Sequence, residues 1–315
     1  MKEETMKEYP LIRQGHNGVT PEQVLECVLK GITRGERDFG VMVRPIIQCI
    51  RHRPDLSTDS ARLAFDYREE GLLVKDKGFC GGVVGIDLFG CDELLWHSRH
   101  HVAAFVSKTK HLQLKKSVHC GDSFNERGIG FHHSIHGLLP QRISCPVGCK
   151  MPKHILHRLF GRQTHLEICF TSNLRQFQFY SLPSQDNDQQ PMFTHSKLFA
   201  KEFVTWLVLN GANFSFSTDF PVLFDISYQS ELQVMMEYCH LTSFEVAQIM
   251  FEAVRNSFLP TQKKLALLHE LRVLWKEVPG TNIQQSHFFP HFVDRTWSNQ
   301  DLLGLDDPSL RAIYE

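Results

Sequence analysis

The sequence predicts an α/β fold of βα units around a largely parallel sheet. Two observations predict it. Short apolar, β-prone runs alternate along the chain with longer stretches of helical period. Several of those runs also end in a polar residue: Asp87, His119 and Asp219. Polar side chains at the C-terminal ends of parallel strands are where barrel enzymes keep their chemistry.

The first element is announced by Thr20-Pro-Glu-Gln, a Thr cap followed by Pro at the first helical position. Val24, Leu25, Val28, Leu29 and Ile32 follow at helical spacing. Val41–Ile50 is apolar and β-prone, with Pro45 as an interruption, and Thr58–Glu70 is a charged amphipathic stretch. Gly82–Leu88 is a short apolar run that carries Asp87. Residues 93–110 read as helix, Leu114–His119 as strand, and 123–150 as irregular, rich in Gly, His and Cys. Lys153–Phe160 reads as helix and Leu166–Phe170 as strand, and polar Ser181–Gln190 is the linker or loop-tip candidate. A helix over 195–209 leads to a strand, Asn213–Ser217, with Thr218 and Asp219 at its end. Residues 230–278 are helical by period, and 280–300 form a loose polar and aromatic extension. There Trp297 and Phe288-Phe289-Pro290 read as packing groups.

Composition narrows the function. With 42% hydrophobic and 22% charged residues, the chain has the make-up of a soluble globular protein. Its formal net charge is -1 and its lysines and arginines are scattered, which argues against nucleic acid or a membrane surface as partner. Nine cysteines, an odd number with no CxxC pair, fit reduced intracellular thiols better than a disulfide framework. The charged start, Met1 to Gln14, lacks the apolar stretch of a signal peptide, and no run approaches a membrane span of about 20 residues. The expectation is a cytoplasmic protein. Histidine stands out at 18 residues, many between 97 and 165. Scattered surface and core imidazoles would explain that number, and so would zinc ligation or proton transfer.

Three short constellations could carry chemistry. His119-Cys-Gly-Asp122 sets an imidazole at a strand end, then a Gly for a tight turn, then a carboxyl group. Imidazole binds zinc and a carboxylic acid moves protons, although HxxD alone arises often by chance. Asp219, in Ser-Thr-Asp-Phe-Pro, is either a hard oxygen ligand or a turn cap. Gly85-Ile-Asp-Leu-Phe-Gly90 offers Gly90 for close approach of a flat ligand and Asp87 to orient a catalytic group. The same residues would also suit an ordinary βα turn with a solvated acidic end.

Their order is more informative than any one of them. Gly35-Glu-Arg-Asp-Phe-Gly-Val41 and Arg51-His52-x-Pro54 come first, followed by GIDLFG-x-DE, V-H-x-G-acid, LEICFTSN, TD-x-P and NSFLP. This series resembles the adenosine and AMP deaminase family, most closely the adenosine deaminases, over roughly residues 19–275. The resemblance implies a TIM-like (β/α)8 barrel of the metallo-dependent hydrolase type with one catalytic zinc. It also implies hydrolysis of adenosine to inosine and ammonia, in purine nucleoside metabolism. Carried over motif by motif, His119 and Asp219 would be zinc ligands and Asp122 the acid that protonates the purine ring. Gly90 would meet the purine with its backbone, and Asp87 would act from behind the ligands. The strand and loop Glu167–Asn173 would support the site.

The pattern departs from the family at four places. No His-x-His, the family's first pair of zinc ligands, precedes the Gly35–Val41 segment, so the resemblance implies a barrel lacking its first two strands. Asp122 stands where the family has Glu, and Phe220 stands for the second Asp of T-D-D-P, which contacts the purine. At the family's R-I-G-H-G, the register on Arg142-Ile143 puts Cys145 at the histidine, while a second register offers His132 or His133. The chain therefore divides into an extension over 1–18, a barrel domain over 19–278 and a second extension over 279–315. Three readings stand at this point: a zinc-dependent adenosine deaminase, an inactive binding or interaction protein on the same barrel, and a barrel hydrolase of drifted substrate.

Overall fold

The computed structural model describes residues 18–90, 99–108, 114–120, 134–144, 158–159, 161–173, 203–208 and 212–276. Helix α1 runs Pro21–Phe39 and begins as its sequence demands, with Thr20 and Gln23 satisfying each other's backbone N–H in a capping box. It stops at Gly40, whose φ of 67° is the left-handed conformation glycine adopts without strain.

Six strands follow: β1 Ile46–Ile50, β2 Gly85–Phe89, β3 Lys115–His119, β4 Arg142–Ser144, β5 His165–Ile168 and β6 Phe214–Phe216. Their order in the sheet is the order in the chain. Every pairing from β1 to β5 is parallel, as βα units require. This is the parallel array expected of the predicted barrel. β1 starts only after Pro45, which has no N–H for a ladder. β4 corrects the irregular reading of 123–150. The 153–160 helix, apart from 158 and 159, lies outside the described residues, as do the 181–190 linker and the 280–300 extension.

Between the strands run α2 Ser57–Asp66, α3 Leu72–Asp76 and α4 Arg99–Val102, which continues as a π-helical turn over Ala103–Lys108. Later come α5 Pro221–Phe224, α6 Tyr228–Cys239, α7 Ser243–Arg255 and α8 Thr261–Lys276. The chain forms two compact units, 1–167 and 168–315.

Strand register sorts the first unit's side chains onto two faces, because successive residues of a strand point oppositely. One face carries Cys49, Leu88, Val118, Ile143 and Leu166 in a continuous row across the five strands. All five are 0–1% exposed, so this face is the core. Cys49 marks what covers it, with its thiol against the Ser57 carbonyl of α2. The opposite face carries the row Gln48, Asp87, Ser117, Arg142 and His165. One step toward the C-terminal edge, His119, Ser144 and Glu167 stand side by side. In a barrel such a polar face is the interior that leads to the site. In the second unit, α7 packs on β6 and α8 packs on α7. The cysteines at 27, 49 and 80 are free thiols.

Candidate active site

In the first unit the polar face closes around His119. Its Nδ1 is 2.8 Å from Asp87 Oδ2, between the last residue of β3 and the middle of β2. Asp87 is buried, and burial alone would oppose its ionisation. The His119 imidazole outweighs that, with Arg142 and the Ser117 hydroxyl assisting, and the carboxyl sits below its ordinary range. A carboxylate on Nδ1 fixes the ring's orientation and directs Nε2 outward, as it does for metal-bound histidines. The Phe89 ring meets His119 edge-on at 5.1 Å and further limits its rotation.

Arg51 holds the backbone of the same strand end. It is 1% exposed, and its guanidinium donates to the His119 carbonyl and, at 3.4 Å, to the Ser134 hydroxyl. Gly90 follows directly on β2 with φ 115°. A Cβ there would touch Arg51 at 3.5 Å, so it is backbone strain that selects glycine. The row continues with Ser144, whose hydroxyl donates to Glu167. Arg142 lies 3.9 Å from that carboxylate and bonds the Ser117 hydroxyl at 3.5 Å.

In the second unit the chain leaves β5 in a helical turn that carries Thr171, Ser172 and Asn173. Ser172 Oγ donates to Asp219 Oδ2 at 2.6 Å. Asp219 adopts φ 58°, a left-handed conformation that Asp tolerates better than most residues. Phe220 follows as the residue capping α5, is 44% exposed, and meets Phe224 edge-on at 6.3 Å. Glu231 of α6 accepts the Thr171 N–H at 3.0 Å. Burial pushes the Glu231 carboxyl up, against the hydrogen bonds from Thr171.

Of the residues singled out in the sequence, Asp87, Gly90 and His119 come together in the first unit, and Asp219 belongs to the second. Asp122, Cys145, His132 and His133 lie outside the described residues. Arg51, Ser144 and Glu231 received no role from the sequence, and Ser172 only a share in the supporting Glu167–Asn173 loop. Arg51 and Ser172 were nevertheless inside quoted motifs, which was the available signal.

A zinc ion needs four donors in tetrahedral array. His119 and Asp219 each have the outer hydrogen bond typical of a metal ligand. However, no group of three His, Cys, Asp or Glu side chains among the described residues could hold a metal ion. The described residues do not by themselves make up a zinc site. Among them, too, no helix is long and apolar enough to cross a membrane.

Comparisons with known proteins bear on the family and the fold. A family model described as adenosine deaminase matches residues 6–273. Adenosine deaminase of Gallus gallus is 27% identical over 269 residues, which cover 85% of this chain and 67% of that protein. That of Mus musculus is 25% identical over 258 residues, covering 82% and 65%. The chain thus spans about two thirds of the length of these relatives. Among solved structures, adenine deaminase from Arthrobacter aurescens superposes with a TM-score of 0.63 at 18% identity, covering 82% of this chain and 70% of that one. An arabidopsis N6-mAMP deaminase gives 0.62 at 20% identity, covering 85% and 71%. An amidohydrolase from Burkholderia ambifaria with bound Zn gives 0.61 at 14%, covering 82% and 64%. At these identities the solved structures establish a shared fold.

Proposed function

The chain belongs to the adenosine deaminase family, and from that premise we propose that it deaminates a purine, adenosine or a close analogue. In that reaction water adds at the ring carbon bearing the amino group, and ammonia leaves. The observation that carries the reading is the Asp87–His119 pair at the C-terminal edge of the sheet, with an imidazole oriented by a buried carboxylate. The family motif assigns zinc to His119 and Asp219, purine contact to Gly90 and ring protonation to Asp122. Asp87 then sets His119, and Ser172 sets Asp219.

One observation favours a narrower substrate. Phe220 presents an apolar ring directly after Asp219, with 44% of its surface exposed. A hydrogen-bonding group there would select a polar edge of the base, and an aromatic ring suits a base bearing an apolar substituent. Ammonia or amine release would be measured from adenosine, adenine nucleotides and N-methylated purines, with and without added zinc. Release from at least one of them supports the proposal. Folded protein that binds a purine but turns none over would make the chain a binding protein instead.

A further inference from the structure

Asp219 and Glu231 of α6 both hydrogen-bond to the turn that follows β5. The turn after β5 exposes the first N–H groups of a helical segment, and such groups require an outside acceptor when buried. Thr171 N–H finds one in Glu231 Oε1 at 3.0 Å, across 60 residues of sequence. Asn173 N–H closes the turn onto the Cys169 carbonyl at 2.9 Å. Between them Ser172, 0% exposed, donates its hydroxyl to Asp219 Oδ2 at 2.6 Å. Glu231 is itself 1% exposed, in the first turn of α6, and its Oε2 has no hydrogen-bond partner among the described residues. A buried carboxyl group used this way costs desolvation, which a purely structural helix could avoid with an apolar residue.

We propose that Glu231 is a positioning residue, which fixes the Thr171–Ser172 turn and through it the carboxylate of Asp219. Its meaning for catalysis rests on the deaminase reading, whereas the relay itself stands on the hydrogen bonds. Gln at 231 keeps the acceptor oxygen, Ala removes it and Asp withdraws it by one methylene. The test is the side-chain carboxyl 13C resonance of Asp219 in protein labelled at aspartate and held at one pH, assigned by its disappearance in Asp219→Asn.

Ser172→Ala and Glu231→Ala are expected to shift that resonance in the same direction. Glu231→Gln should leave it at the wild-type position, and so should Glu237→Ala, a change elsewhere on α6. A wild-type resonance in folded Glu231→Ala would overturn the proposal. So would a shift in Glu231→Gln or Glu237→Ala as large as that in Ser172→Ala. Should Glu231→Ala not fold, Glu231→Asp takes its place, with a shift expected and no shift overturning the relay. Where turnover is measurable, Glu231→Ala should lower kcat with KM kept, and Gln should restore it. The resonance decides the relay even if no purine is turned over.

Discussion

Lys116 is a buried cation held by a single backbone carbonyl. Register places it with Ile47 and Ile86, on the sheet face turned away from the polar row. It is 8% exposed, and its ammonium donates to the Leu138 carbonyl at 2.9 Å. No carboxylate pairs with it among the described residues. Burial lowers its pKa from 10.5 to about 8. At 1.36 kcal/mol per pH unit, holding the charge at neutral pH costs the folded state on the order of 3 kcal/mol. The sign follows from proton binding. Between pH 8 and 10.5 the unfolded chain holds the proton that the folded chain has released, so stability rises with pH in that window. Lys116→Met removes the penalty and leaves one carbonyl short of a donor, a loss of about 1 kcal/mol. The variant should therefore be more stable than wild type by ~2 kcal/mol at pH 7, with the advantage gone by pH 10. Urea unfolding of both proteins at several pH values measures the difference, in which other titrating groups cancel. A difference independent of pH would refute the reasoning.

Other perturbations probe the fold and the site. Gly82→Ala would put a Cβ 2.4 Å from the Tyr67 carbonyl oxygen and 2.7 Å from Arg68 backbone atoms. It should cost about 1–3 kcal/mol in urea unfolding, because backbone cannot move aside as a side chain can. Ile143→Ala, in the 0%-exposed centre of the core row, should cost ~2–5 kcal/mol in the same assay. Asp87→Ala should leave a folded protein whose deaminase activity falls roughly 10–100-fold, since His119 loses the partner that orients it. Unchanged turnover in Asp87→Ala would remove Asp87 from the site.

The parts of the fold legible in the sequence are those specified locally. Thr20, Pro21 and Gln23 write the start of α1 within four residues, and the structure contains that capping box. β2 falls on an apolar run bounded by turn residues, and β3 and β6 lie within their expected spans. β4 was hidden because only Ile143 of its three residues is apolar. Its strand character comes from pairing with β3 on one side and β5 on the other. The pairing of Asp87 with His119 spans 32 residues and that of Ser172 with Asp219 spans 47, so neither follows from spacing. The ordered motifs identified the positions, and parallel register decided which side chains meet. Arg51 shows the limit most clearly. Its motif was visible, but its task, holding the carbonyl of a residue 68 positions later, is a property of the folded sheet.

The most direct test of purine deamination is conversion of adenosine to inosine by the purified, folded chain with zinc added, run beside His119→Ala. Turnover is expected from the wild-type chain, and its loss from the variant. Equal turnover in both would contradict the role of His119, and absence of turnover on every purine offered would contradict deamination itself.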